Sequence, residues 1–165
     1  MLVIVLEDSS NNKMGGGQVI TLEAMKVFKR FSKILLVDTN EASVFLNNAV
    51  DYYEAEKMVV TKGGNALVWL FRSVFRIKDN VANKGTSNSD LLVYAATKRM
   101  LVVAFLLRIL YGYKFIYHSH MVHKNSLERL FIRFLLFFAE SVIACSSTVK
   151  ESLAFRKAEL IYNPI

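Results

Sequence analysis

The chain has 165 residues, the size of one compact domain, and 53% of them are hydrophobic, with 12 Phe; that much apolar material excludes a disordered chain and leaves some over for exposed surface. The formal charge of +7, from 21 basic and 14 acidic residues, favours an anionic partner such as a membrane surface or a nucleotide diphosphate. Nucleic acid is set aside, because the Lys and Arg punctuate apolar helices instead of gathering on one face among aromatics.

The first apolar run, LVIVL at 2–6, is β-rich and unalternating, as in a strand buried on both faces. A polar, Gly-rich loop follows, and then Val19, Leu22, Met25 and Phe28 recur at helical spacing, with Ile20 and Phe31 widening the stripe. KILLVDT (33–39) reads as the second strand, EASVFLNNAVDYY as a helix, and EKMVVTK as a third strand ended by Gly63 and Gly64. From Asn65 to Ile77 a helix is expected with Leu67, Leu70, Phe71 and Val74 on one face, followed by a loop, KDNVANKGTSNSD.

DLLVYAA (90–96) is the next buried strand, 98–111 an apolar helix with Gly112 suited to its C-cap, and KFIYHSH (114–120) another strand. After it, Leu127, Leu130, Phe131, Phe134, Leu135 and Phe138 give the cleanest helical stripe in the chain. SVIACSS returns to a strand, Ser147 suits the N-cap of a short helix, and AELIYNPI adds a last short strand before the only proline, Pro164. Strand and helix alternate throughout. The expected fold is α/β: one Rossmann-like, doubly wound, mainly parallel sheet covered on both faces, as a single domain over 1–165.

The single cysteine, Cys145, rules out a disulfide framework, reads as a core thiol at a strand end, and fits a reducing cytoplasm. The first apolar run is too short for a signal peptide and lacks a basic n-region. The longest hydrophobic stretches are broken by Arg108, or by Arg133 and Glu140, short of a bilayer span. Peripheral attachment to the inner face of the plasma membrane stays open.

A sheet of this kind binds ligands at the carboxyl ends of its strands, which gathers the residues with chemistry on one edge. Gly15, Gly16 and Gly17 sit at a strand-to-helix junction, where exposed backbone N–H groups and the helix dipole suit a phosphate or a sugar oxygen. Neither G-x-G-x-x-G nor a Walker loop is present, which disfavours a dinucleotide oxidoreductase, and an ordinary turn is the competing reading. In YHSHMVHKN, His118 and His120 fall on one side of a strand and can enter one cleft, with His123 in the loop beyond. A metal site would need further His and Asp ligands that the neighbourhood lacks, so no metal and no cofactor is expected. A histidine that hydrogen-bonds substrate or takes a proton, and one bonded only to nearby backbone, both remain. Arg129 and Arg133, four apart on an apolar helix, with Arg108 on the preceding one, suit either an anionic bilayer or an ordinary surface.

Three stretches in order, MGGGQVITLEAMKVF, FIYHSHM, and AESVIACSSTVKESL with AELIYNPI, resemble the N-terminal, acceptor-side half of a GT-B glycosyltransferase of the family 4 type. The resemblance implies transfer of a sugar from a nucleotide diphosphate sugar to a glycan or lipid-linked acceptor, as in polysaccharide or glycolipid assembly. It implies that Gly16 and Gly17, beside Gly15, let the loop approach sugar or diphosphate. It also implies that His120, ahead of His118, contacts the transferred sugar or orients the acceptor, with Ser146 on the CSS turn as a weaker contact. Such enzymes carry a second, donor-binding domain, and the chain stops where that domain is expected. On this resemblance it is catalytically incomplete alone, a fragment or one subunit of a split enzyme, with a non-catalytic membrane-docking or scaffold subunit as the alternative.

Overall fold

The computed structural model describes residues 1–9 and 14–161; the terminal YNPI of the resemblance lies outside them. The strands β1 (Leu2–Leu6), β2 (Lys33–Asp38), β3 (Glu56–Val59), β4 (Leu91–Ala95), β5 (Lys114–Ser119), β6 (Ser141–Ala144) and β7 (Ala158–Leu160) form one sheet in the order β3-β2-β1-β4-β5-β6-β7. Every adjacent pair is parallel. Parallel pairing requires a crossover between strands, and helices supply it: α1 (Gly16–Phe28), α2 (Val44–Tyr53), α3 (Ala66–Ala82), α4 (Lys98–Tyr111), α5 (Ser126–Leu136) and α6 (Ser147–Leu153). α1 and α2 cover one face of the sheet, and α3 to α6 the other. β1 is central and wholly buried, so its five apolar residues face a helix layer on either side. The order of the strands reverses between β1 and β4, which opens a crevice at their carboxyl ends.

Side-chain caps set most helix starts: Ser43, Asn65, Thr97 and Asn125 each accept a hydrogen bond from a backbone N–H of the first turn. Gly112 ends α4 at φ 76°, a conformation that favours glycine. Ser146, not Ser147, caps α6, because its Oγ reaches Val149 N at 3.2 Å. The stretch read as a loop after Ile77 stays helical to Ala82, because Val81 continues the buried line of Ile77 and the left-handed Gly85 comes only later. β2 and β5 stop one residue earlier than read, leaving Thr39 and His120 just beyond the sheet.

The apolar spacing of α1, α3 and α5 is borne out only in part. α3 buries Trp69, Ser73, Val74, Ile77 and Val81, while Leu67 and Phe71 are exposed. α5 buries Ile132, Leu135 and Leu136; of its expected stripe Leu135 is buried and Phe138 packs on the core, while Leu127, Leu130, Phe131 and Phe134 face outward. In α1 the expected stripe faces the core through buried Met25 and half-buried Leu22 and Phe28, while Val19 and the following Phe31 are exposed and Thr21 is fully buried. A helix with apolar residues on two sides has no unique core stripe, and contact with the sheet decides. Cys145 is half-buried against the core and not enclosed in it.

Candidate functional site

The loops after β1 and β5 bring the glycines and the histidines to the carboxyl edge beside the β1/β4 crevice. Gly15 is the N-cap of α1, and Gln18 reaches back to it, its Oε1 accepting from Gly15 N at 2.8 Å while its Nε2 donates to Ser9 Oγ at 2.8 Å. None of the three glycines has a positive φ. A side chain on Gly15 or Gly16 would meet nothing within 4 Å, and a Cβ on Gly17 would lie 3.4 Å from the His120 ring, an ordinary contact. Among the described residues, therefore, no crowding requires glycine at 15 or 16. The triplet is open backbone at the start of α1, and at Gly17 it packs against the His120 ring.

His118 and His120 come together as their spacing suggested, with ring centroids 4.2 Å apart. Tyr94 stands in register with Ile116, two residues before His118 and on the same face of the sheet. Its hydroxyl lies 2.5 Å from His118 Nδ1. Phe28 packs edge-on against the Tyr94 ring at 5.4 Å and holds it. His118 Nε2 and both ring nitrogens of His120 are buried without a hydrogen-bond partner among the described residues. A buried polar atom left unpaired costs about 1–3 kcal/mol, so these three nitrogens are polar groups left uncompensated among the described residues. Burial pushes His118 down to about 3, helped by His120 beside it, and burial pushes His120 down to about 4. Both rings are neutral near pH 7; Tyr94 engages His118 Nδ1 and leaves only Nε2 of that ring unpaired, while His120 has both an N–H and a lone pair unengaged.

Buried acids anchor the loops around this pair. Glu7, at the end of β1, accepts from Thr21 Oγ1 at 3.0 Å, which explains a polar residue on the buried side of α1. Burial raises its carboxyl to about 7, against the lowering pull of hydrogen bonds from Asp8 N and Thr21. Asp38 accepts from Ser9 N at 2.9 Å, Thr39 N at 2.6 Å and Ser43 Oγ at 3.0 Å, tying the loop after β1 to the end of β2. His123 does not join the pair. It is buried between Glu128 at 3.1 Å and Ser119 at 3.4 Å, and Glu128 also takes Lys98 at 2.5 Å, so this histidine fastens the β5–α5 loop.

Ser146 lies two residues beyond β6, and its oxygen accepts the α6 capping bond from Val149 N, leaving its proton and one lone pair unengaged. Among the described residues no group of three His, Cys, Asp or Glu side chains is placed to hold a metal ion. Arg129 and Arg108 are half-buried, the latter donating to Gly112 O at 3.3 Å, and Arg133 is exposed. No described helix is long and apolar enough to cross a membrane.

No family model and no curated protein matches the chain. Solved structures do match. Anabaena Alr3699/HepE in complex with UDP-glucose superposes with a TM-score of 0.75 at 19% identity, over 100% of this chain and 44% of that one. The lipopolysaccharide outer core galactosyltransferase WaaB superposes with a TM-score of 0.69 at 13% identity, over 100% and 46%. The chain has the fold of one GT-B domain. A putative UDP-N-acetylglucosamine 2-epimerase from Listeria monocytogenes shares this GT-B-type domain, with a TM-score of 0.62 at 12% identity over 93% and 41%, so the fold by itself does not name a reaction. The chain spans less than half the length of each of these proteins.

Within this GT-B-type domain, sequence reasoning reached the glycines and the histidine pair but missed Glu7, Thr21 and Tyr94. Glu7 had a readable signal, an acid directly after a wholly apolar strand. Tyr94 had none, since its run reads as buried strand and gives no sign of where its hydroxyl points.

Proposed function

We propose that the chain is the acceptor-side half of a glycosyltransferase that moves a sugar from a nucleotide diphosphate sugar to a polysaccharide or glycolipid acceptor. The observation that carries this reading is the set of three unpaired, buried ring nitrogens on His118 and His120, set against Gly17 at the carboxyl edge. Neutral imidazoles with free donors and acceptors fit sugar hydroxyls. Bare backbone at Gly15, Gly16 and Gly17 suits a sugar or its diphosphate at the start of α1. The binding of UDP-glucose by Anabaena HepE, a protein of the same fold, supports the class of donor and does not fix the sugar.

His120 contacts the reacting sugar or orients the acceptor hydroxyl, His118 backs it, and Ser146 offers a weaker contact from just beyond β6. A second Rossmann-like domain, in the same chain or a partner subunit, supplies the remaining donor contacts. The test is sugar transfer from labelled nucleotide sugars in the presence of that domain. His120→Ala is expected to lower transfer about a hundredfold or more. Transfer that survives the substitution unchanged sinks the role of His120.

One observation favours a second, compatible reading, a peripheral membrane-docking subunit. Leu127, Leu130 and Phe137 of α5 and its end are 76%, 66% and 78% exposed, and Arg133 lies among them. An apolar helix face on a helix that also carries Arg129 and Arg133 suits an anionic bilayer. Co-sedimentation with anionic liposomes that survives His120→Ala and fails on charge reversal at Arg129 and Arg133 supports docking.

A further inference from the structure

Away from the histidines, on the face covered by α3 and α4, a cavity of about 300 Å³ opens between the loop after β3 and the first turns of α4. Its polar side is Lys62, Arg99 and the Gly63–Gly64 backbone, and its apolar side is Trp69, Leu70 and Val102. Lys62 and Arg99 share a single partner, Asp8: Lys62 Nζ pairs with one carboxylate oxygen, and Arg99 Nη1 lies 3.3 Å from the other. Asp8 is itself engaged by Thr39 Oγ1 at 2.8 Å. Two cations over one carboxylate leave a net positive charge at the mouth. The cavity thus joins a cationic rim to an apolar wall, and the first two turns of α3 extend the apolar surface with exposed Leu67, Val68 and Phe71.

We propose that this cavity binds an anionic amphiphile, a phosphate or diphosphate ester on a hydrocarbon chain, with the acid group against Lys62 and Arg99 and the first methylenes over Trp69, Leu70 and Val102. This rests on the glycosyltransferase reading for its meaning, since it makes the acceptor a lipid-linked phosphate. The binding itself does not depend on that reading. An uncharged glycan would leave the two cations unused, and a free anion would leave the apolar wall exposed to water. Arg99 and the planar acid group can pair through two parallel hydrogen bonds, while Lys62 acts as a point charge.

Trp69 is the only tryptophan in the chain and forms one wall, its Nε1 donating to Val60 O at 3.3 Å, so its fluorescence reports from the site. The full chain is titrated with decyl phosphate below its micelle concentration, with inorganic phosphate, and with decanol. The expected result is a saturable change in Trp69 emission with decyl phosphate, at least tenfold tighter than with either half-ligand. Lys62→Gln and Arg99→Gln each weaken it about tenfold, Arg99→Lys recovers part of the loss, and His120→Ala leaves it intact. Equal binding of inorganic phosphate would reduce the site to one for a free anion, and equal binding of decanol would reduce it to an apolar pocket; either overturns the proposal. So does the absence of any saturable change. Because no donor sugar is present, failure of sugar transfer and failure of this site are read separately.

Discussion

The Tyr94 hydroxyl lies 2.5 Å from His118 Nδ1, and among the described residues this is the only hydrogen bond that hydroxyl makes. Burial raises the Tyr94 phenol well above its usual range, with Glu7 adding to the effect, so the phenol keeps its proton and donates it. Nδ1 then accepts, and the imidazole proton of neutral His118 sits on Nε2, one of the unpaired nitrogens beside His120. In 15N spectra of histidine-labelled protein, His118 is expected as the Nε2–H tautomer, neutral down to about pH 4. Tyr94→Phe should leave Nδ1 without its donor, mix the tautomers, and cost about 1–3 kcal/mol of stability by urea unfolding. A His118 that is Nδ1–H in the unmodified chain would contradict this assignment.

Glu7, His118 and His120 tilt stability with pH in opposite directions. Glu7 rises from 4.5 to about 7 on folding, so its contribution is complete below 4.5 and is lost as the pH climbs through about 7. The histidines fall from 6.5 to about 3 and about 4, so as the pH drops below 6.5 the unfolded chain takes up protons that the native chain refuses. Between 4.5 and 6.5 two histidine protons outweigh one carboxyl proton, and stability rises with pH; above 6.5 the Glu7 arm alone lowers it. These groups place the maximum near pH 6.5. Glu7→Gln should remove the fall above pH 6.5, which is worth less than about 1 kcal/mol because Glu7 titrates at about 7, and should steepen the rise between pH 5 and 6.5; urea midpoints from pH 5 to 8 read both. An unchanged alkaline fall in Glu7→Gln would assign it to other groups.

Gly16→Ala and Gly17→Ala separate backbone need from ligand need. Both positions are helical, and an added methyl meets nothing at 16 and an ordinary 3.4 Å contact at 17. Alanine is the better helix former, so each variant is expected to be unchanged or up to about 1 kcal/mol more stable. Sugar transfer should nonetheless drop, because the methyl occupies the space that a ligand would use. A variant that is destabilised would return the glycines to an ordinary structural role.

The two sides of α5 should respond oppositely to substitution. Ile132→Ala removes a buried side chain and is expected to cost about 2–4 kcal/mol. Leu127→Ser with Leu130→Ser, on the exposed side, should change stability by less than about 0.5 kcal/mol each and weaken liposome binding. Loss of folding in the double variant would mean that the exposed stripe is core after all.

That stripe also shows where the sequence was a poor guide. Alternating apolar runs and turn signals were enough for a parallel α/β sheet, for β1 and α4 to the residue, and for Gly112, because local chemistry decides each of these. The buried sides of α3 and α5 were only partly legible, because apolar residues occupy both sides and only docking on the sheet chooses between them. In the site, His118 and His120 could be paired from strand geometry, whereas their neighbours Tyr94 and Gly17 come from other strands and loops. Contacts such as Glu7 with Thr21, fourteen residues apart in sequence, exist only once α1 folds back over β1.

Whether the unpaired imidazoles receive a sugar is read from the three histidine side chains themselves. Their ring 15N and 1H signals can be followed in the full chain as a nucleotide sugar such as UDP-glucose, and then free sugars, are added. His123, held by Glu128 and Ser119, is the internal control. His120 and His118 are expected to shift in a saturable way while His123 stays still, and Tyr94→Phe is expected to change the His118 response. Shifts confined to His123, or no shift at His120 at saturating sugar, would contradict a sugar site at the pair.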